Sequence, residues 1–335
     1  MEAIGHTVKR VSHDGDFGTQ FGILINYMLN HAYPREIYSY DMDNITRCYS
    51  KGKQMYDGDD AFKLKSQVIL DHIQNNTDVT ITQIWNHLIK QSSEYCYGLF
   101  ARMNASPDIS STGESFYKQY WSDIKTTLME SGVLQKSEGA LVIFIDGYED
   151  PLMVEKTNGC ITYDTTDIIA IWYRLHKLNM DKIIYLTDSG QNSHFVKIFK
   201  LAEQLGWTIK GQTLHHIGFG KVNKPDGVPI RTREFGTIIK LDDVIDAVVD
   251  KCKEACESRG RSDELATVMA INSMRYFEMS HPYQQTYNFD LNSMVSFNSD
   301  SALYTMYTYA RLIRITNDSA VEFSGMGDYK LTPHE

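Results

Sequence analysis

No stretch of about 18 consecutive apolar residues occurs, so no part of the sequence is expected to span a membrane as a helix. The opening thirty residues, MEAIGHTVKRVSHDGDFGTQFGILINYMLN, are punctuated by charge and lack an apolar core ahead of a small-residue cleavage site, which argues against a secretory signal. Positive charge is in deficit: 33 Lys and Arg stand against 43 Asp and Glu, a net charge of −10. That balance excludes the broad basic field behind non-specific nucleic-acid binding, and any RNA contact has to be local. Cysteine is scarce and odd in number, five in 335 residues, which fits a reducing compartment better than a disulfide framework; the cytoplasm is the expected location. Cys252 and Cys256 stand four apart, a spacing that suits two thiolates on one helix face. No second Cys/His pair completes a tetrahedral set and both continue an apolar stripe, so core packing is the expected role and no metal site is expected. Internal repeats and low-complexity runs are absent as well.

What remains is ordinary globular composition, 42% apolar and 23% charged, with length for one large domain or two smaller ones. Short apolar, β-branched runs alternate with helical stretches. TVKRV (7–11), GALVIFID (139–146), the strand-like CITY (160–163), KIIYLTD (182–188) and TLHHIGFG (213–220) read as strands or their exits. Between them, ILINYMLN starts a helix, a second is opened by Thr165, Thr166 or Asp167 as N-cap, and SGQNSHFVKIFKLAEQLGW forms a third that ends near Gly206. Strands that are apolar on both faces and alternate with helices predict a doubly wound parallel sheet of Rossmann-like α/β type. The expected division is an α/β domain of residues 1–30 and 137–250, a mainly helical insertion over 31–136, and a helical region over 251–335. LDDVIDAVVDKCKEAC (241–256) carries its apolar residues at helical steps. Ligands of such sheets bind beyond the carboxyl ends of the strands, which directs attention to residues 12–20, 163–167, 188–194 and 216–236.

Each of those segments has an ordinary reading. Glycines bracket a strand-to-helix turn in GDFGTQFG (15–22), where they either punctuate the turn or let backbone amides approach a ligand. Asp167 can cap a helix, Tyr163 can be a buried tyrosine, and Gln191 suits simple turn chemistry. HHIG (215–218) has the look of the histidine signature of ATP-using ligases.

Taken in order, however, GHTVKRVSHDGDFGTQFG, GESFY (113–117), EGALVIFIDG (138–147), TYDTTDIIA (162–170), QNSHFVKIFKLAEQLGW (191–207), HIGFGKV (216–222) and IRTREFGTIIKLDDVIDAV (230–248) closely resemble the arginyl-tRNA synthetases, a family of class I aminoacyl-tRNA ligases. Phe17 stands where the family's Gly-Asp-Trp-Gly-Thr-Gln-Phe-Gly segment has tryptophan. The stretch MRYFEMSHPYQQTYNFDLNSMVSFNSDSALYTMYTYARLIRI (274–315) is similar to the family's passage into its anticodon-binding bundle, so the resemblance spans nearly all of residues 1–315.

The resemblance implies arginine–tRNA ligation, with L-arginine, ATP (as its Mg complex) and tRNA(Arg) as partners and no tightly bound cofactor. By the same resemblance, Tyr163, Asp167 and Gln191 hold the guanidinium, a planar cation whose forked donors suit a carboxylate bidentately. Phenol and amide oxygens accept its remaining N–H groups, and an analogue lacking those donors leaves polar groups unpaired. His194, His216, Gly218 and Phe219 fall where the nucleotide is expected, Asp16, Gly18 and Gln20 on a loop near the active site, and Arg231 and Arg233 in PIRTRE, where the family has a triphosphate-stabilising loop. HHIG is then a decoy: it follows the arginine-binding strands, whereas the true histidine signature belongs to the first strand–helix unit.

That first unit and most of the anticodon bundle have no counterpart in the sequence, so a shortened chain is expected. Losing one transition-state donor costs about 10² to 10³ in rate, and losing the histidine pair with its scaffold on the order of 10⁴ or more, so little adenylate formation is expected of this chain alone. A sheet short of its central strand would rearrange, be covered by a protein partner or by self-association, or belong to a longer functional product. The other reading that follows is a non-catalytic arginine-binding or protein-interaction remnant of such a ligase.

Overall fold

The structure, a computed structural model, describes residues 1–31, 36–105, 110–224, 226–228, 240–257, 262–296 and 300–318. Two compact units divide it: residues 1–221 form the first, and the described residues from 222 onward form the second.

The first unit opens with a 3-10 turn (Glu2–Ile4) and an irregular segment that leads to β1 (Val11–Ser12) and through the glycine-bracketed turn into α1 (Thr19–His31). Three long helices follow, α2 (Met42–Gly58), α3 (Asp60–Asn75) and α4 (Val79–Arg102), each started by an aspartate. Asp41, Asp59 and Asp78 accept from Asn44 N, from Ala61 N and Phe62 N, and from Ile81 N, satisfying amides that the first helical turn leaves free. Ile25, Met28, Ile69, Ile73, Ile84 and Leu88 meet in the core of this helical part. Gly22 lets α1 approach α3: a Cβ there would lie 2.3 Å from the Ser66 carbonyl oxygen.

β2 (Ser110–Ser111) pairs in parallel with β1, and α5 (Glu114–Tyr117) and α6 (Trp121–Glu130) lead into a meander of β3 (Leu134–Ser137), β4 (Ala140–Ile143) and β5 (Leu152–Glu155). The apolar run at 139–146, expected in a parallel sheet, therefore lies in an antiparallel one. The cause is local. Ser137 pairs with Ala140, and Glu138 and Gly139 both adopt positive φ (50° and 83°), the two-residue turn whose twist matches a hairpin.

Next come α7 (Tyr163–His176), β6 (Lys182–Asp188), α8 (Asn192–Gln204) and β7 (Thr213–Phe219). β6 and β7 pair in parallel over their whole length, a βαβ crossover over α8. Parallel pairing is thus present but small, since among the described residues the sheets have two or three strands. Of TVKRV only Val11 joins a strand, and CITY contributes a single bridge from Ile161 to Glu155. β6 is also not apolar-buried on both faces: Ile183 and Tyr185 enter the core beside Phe195, Ile198 and Leu201, whereas Ile184 and Leu186 are 41% and 66% exposed.

α7 begins at Thr162 rather than at Thr165, Thr166 or Asp167. The threonines serve the neighbouring strand instead: Thr162 Oγ1 donates to the Met153 carbonyl, Thr165 Oγ1 to that of Val154, and Asp164 Oδ2 accepts from Met153 N at 2.7 Å. The start of α7 is thus stitched to β5 through Thr162, Asp164 and Thr165.

In the second unit, β8 (Val222–Asn223) pairs with β9 (Tyr287–Asn288), and α9 (Leu241–Glu257) packs on α10 (Asp263–Ser280), which also contacts α11 (Leu291–Met294) and α12 (Ala302–Asp318). α9 buries Ile245, Val248, Cys252 and Cys256 at helical spacing, with Cys256 Sγ 3.6 Å from Met269 Sδ, so both cysteines are packing residues. Among the described residues, no helix is long and apolar enough to cross a membrane.

Candidate functional site

A cavity of about 1230 Å³ lies between the N-terminal segment and β6. Tyr163 and Asp167 from α7, Gln191 just beyond the carboxyl end of β6, Glu114 at the start of α5, and His13 and Arg174 all open onto it. Positions 163, 167 and 174 share one face because four and eleven residues are close to whole helical turns. Tyr163 is exposed, not buried, at 60%, while Asp167 is 9% exposed with its carboxylate at the cavity wall.

Asp167 is the centre of the polar network. Its Oδ2 is 2.7 Å from His194 Nε2, and its Oδ1 is 3.3 Å from His13 Nε2, a charge contact without hydrogen-bond alignment. The other nitrogen of His194 lies 3.1 Å from Asp164 Oδ1, again close but off line for a hydrogen bond. Burial works against a charge on His194, but its contacts with Asp164 and Asp167 outweigh that and push its pKa up to about 9. At neutral pH the ring is an imidazolium shared by two carboxylates.

Arg174 closes the floor. One guanidinium nitrogen donates to His13 Nδ1 (3.2 Å) and to the Tyr117 hydroxyl (3.3 Å), and the group lies over the rings of Tyr185 and Tyr117 at 5.0 and 5.9 Å. Arginine only donates, so His13 Nδ1 accepts and the ring proton of neutral His13 sits on Nε2, facing Asp167. Burial pushes the pKa of His13 down despite Asp167.

Glu114 is the residue that the sequence reading passed over. Burial first, then Asp167 and Asp16, raise its pKa to about 7. It stood in view inside GESFY, but nothing in that string says its carboxylate shares a cavity with Asp167. A strongly perturbed carboxylate beside a second acid in a cavity is the pattern expected of a binding or catalytic group.

The other singled-out residues do different work. Asp16 accepts from Ser115 N (2.8 Å) and Ser115 Oγ (2.6 Å), and its carbonyl accepts from Trp85 Nε1 (2.8 Å), so it ties the glycine turn to α5 and α4. Gln20 folds back to donate to the Gly15 carbonyl at 2.7 Å, directly over Gly18, where a Cβ would lie 2.3 Å from the Gln20 amide. Gln74 of α3, unremarked in the sequence, donates to the carbonyls of Ile161 and Phe17 and accepts from Ile161 N, fixing both loops that carry site residues. His216 on β7 contacts Thr187 Oγ1 (2.7 Å) and Asn192 Oδ1 (3.1 Å) and stacks on Phe195. Burial and then His194 lower its pKa. A Cβ on Gly218 would lie 2.9 Å from Ser189 Cα, and Phe219 is 46% exposed at the end of β7. His194, His216, Gly218 and Phe219 do not line the cavity. Arg231 and Arg233 lie outside the described residues.

Fold and site define an α/β protein with a cavity beside a parallel crossover, lined by the acids Glu114, Asp167 and Asp181 and by the bases Lys9, Arg10, Arg174 and Lys182. Residues 1–291 match the family described as tRNA synthetases class I (R), catalytic domain. Arginine–tRNA ligases are among the relatives: that of Acanthamoeba polyphaga mimivirus is 34% identical over 321 residues, covering 93% of this chain and 52% of the relative, and that of Picosynechococcus is 32% identical over 343 residues, covering 97% and 58%. The crystal structure of arginyl-tRNA synthetase from Plasmodium falciparum superposes with a TM-score of 0.79 at 29% identity, over 96% of this chain and 54% of that one. The Thermus thermophilus arginyl-tRNA synthetase, at 17% identity and a TM-score of 0.72, shares the fold over 98% of this chain and 61% of its own. The chain belongs to the arginyl-tRNA synthetase catalytic-domain family, and it spans about half the length of the curated relatives it matches.

Proposed function

We propose that the protein works in arginine–tRNA ligation, and that residues 1–221 supply the cavity that selects L-arginine. The observation that carries this reading is the opening of Asp167, Glu114, Tyr163 and Gln191 onto one cavity. Asp167 offers the forked carboxylate that a guanidinium matches. Glu114, half neutral near pH 7, ionises fully when a cation arrives and adds a second negative contact. The Tyr163 hydroxyl and the Gln191 amide oxygen complete the set of acceptors, so a lysine side chain or a neutral urea analogue leaves some of them unsatisfied.

The reaction has two steps. The arginine carboxylate attacks the α-phosphate of ATP, held as its Mg complex, and pyrophosphate leaves; a terminal hydroxyl of tRNA(Arg) then takes the arginyl group and AMP leaves. Positioning and charge stabilisation supply most of such catalysis. In this reading the side chain anchored at Asp167 fixes where the reacting carboxylate points. The nucleotide lies toward the carboxyl end of β7, by His216, Gly218 and Phe219, with Arg231 and Arg233 on the triphosphate.

Calorimetry with L-arginine, L-lysine and L-citrulline tests the anchor. Arginine is expected to bind alone of the three, and Asp167→Asn to weaken it by about 30-fold or more, the cost of unpairing a buried charge. Equal affinity of wild type and a folded Asp167→Asn for arginine refutes the reading.

A further inference from the structure

Asp167 already has a cationic partner. His194 approaches its Oδ2 at 2.7 Å from α8 without itself lining the cavity, and the ring is clamped there: Asp164 faces Nδ1 at 3.1 Å, and the rings of Tyr163 and Phe195 lie 5.1 Å from it. Asp164 is itself held by Met153 N at 2.7 Å, so the clamp does not swing away. A guanidinium entering the cavity, which Asp167 lines, meets the same carboxylate. Two cations then share Asp167, His194 keeping Asp164 as its other partner, in a buried site where their repulsion is poorly screened. The guanidinium cannot shed its charge, whereas the imidazolium can.

Resting on the reading that Asp167 takes the substrate guanidinium, we propose that His194 is the resident counter-cation of that site and releases its proton to solvent when arginine engages Asp167, so that arginine binding is proton-linked. The groups facing His194 leave it as the proton donor. Asp164, Asp167 and the Tyr163 phenol come from α7, and His216 from β7 has its pKa lowered, so it is neutral where His194 is charged. Through Asp167 the site also feels His13, likewise lowered, Arg174, and Glu114. Glu114 ionises on binding too, but its window centres on about 7, whereas that of His194 extends to about 9. The sign follows: binding lowers the His194 pKa, so affinity rises with pH, by up to about tenfold per pH unit, and levels off above about 9.

Calorimetry of L-arginine binding to the whole chain at pH 8, in two buffers of different ionisation enthalpy, counts the protons. Release of more than about half a proton per arginine is expected, since little of Glu114 remains protonated there. His194→Gln, which keeps a donor for Asp167 without a charge, is expected to bind arginine with no more than about a tenth of a proton released. Saturable arginine binding by wild type without proton release overturns the proposal, whether or not the variant folds. Absence of arginine binding at any pH from 6 to 9 is a different result, which removes the guanidinium site itself and the proposal with it.

Discussion

If His194 is held charged by Asp164 and Asp167, folding stability must depend on pH where no ordinary histidine titrates. Its pKa is about 9 in the folded chain against 6.5 for an unperturbed ring. A raised folded pKa contributes stability that is fully present below 6.5 and is lost as pH rises through about 9. The gap between those values corresponds to roughly 3 kcal/mol, of which roughly 1.5 to 2 kcal/mol disappears between pH 7 and pH 8.5. Glu114 adds at most about 0.4 kcal/mol in the same direction as the upper end of its titration completes. The perturbation is His194→Gln, which keeps a donor for Asp167 but does not titrate. All four tryptophans, Trp85, Trp121, Trp172 and Trp207, lie in the unit formed by residues 1–221, so urea unfolding followed by tryptophan fluorescence reports on the unit that holds the pair. Wild type should lose about 1.5 kcal/mol more than the variant over this window, beyond the extrapolation error of such measurements. Parallel pH profiles for the two proteins would refute the buried imidazolium and, with it, the charge assigned to Asp167.

Two further outcomes test the scaffold. Gly22→Ala drives a Cβ to 2.3 Å from the Ser66 carbonyl oxygen, a backbone atom that cannot rotate away, so α1 and α3 must separate; a loss of about 3 kcal/mol is expected in the same urea assay, and a loss below 0.5 would show that the helices do not approach as described. Asp16→Ala leaves Ser115 N and Oγ without their acceptor and should cost about 1 to 3 kcal/mol, with Asp16→Asn recovering part of it; equal stability of the two variants contradicts the tie between the glycine turn and α5.

The helices and the β6–α8–β7 crossover were legible because their signals are local. A strand-length apolar run gives 182–188 as a strand, and the apolar period of 189–207 gives a helix that the structure forms over Asn192–Gln204, without reference to the rest of the chain. The sheet was not legible in the same way. ALVI at 140–143 is equally suited to a parallel or an antiparallel neighbour, and what decides is the Glu138-Gly139 turn, a conformational signal two residues long. The start of α7 misled for a related reason: Thr165, Thr166 and Asp167 all look like caps, but Thr165 donates to the Val154 carbonyl of β5, Thr166 to the Tyr163 carbonyl of its own helix, and Asp167 faces His194. Within the site, the ordered motifs marked Tyr163, Asp167 and Gln191, which share a cavity, together with Asp16, Gly18 and Gln20, which hold a turn in shape. Sequence strings do not separate these groups, since a carboxylate already satisfied by Ser115 and one facing a cavity are written with the same letter.

The charge balance of the cavity explains why a protein of net charge −10 should hold cations at its centre. Asp164 and Asp167 are buried acids, and an uncompensated buried charge is costly, so His194 and Arg174 neutralise the pair before any ligand enters. Glu114, with no such partner in the network and a pKa near 7, absorbs the remaining imbalance by holding a proton part of the time. The charges of this cluster therefore nearly cancel, and among the other residues lining the cavity Lys9, Arg10 and Lys182 outnumber Asp181, so the empty cavity does not strongly attract cations. If arginine binds as proposed, its guanidinium gains full attraction only as protons leave Glu114 and His194, and negative charge in the pocket then follows occupancy. On the proposed reading a neutral analogue of the same shape releases no proton, whereas a lysine ammonium releases protons as a guanidinium does, so proton release separates charged from neutral ligands and the acceptors of Tyr163 and Gln191 separate arginine from lysine.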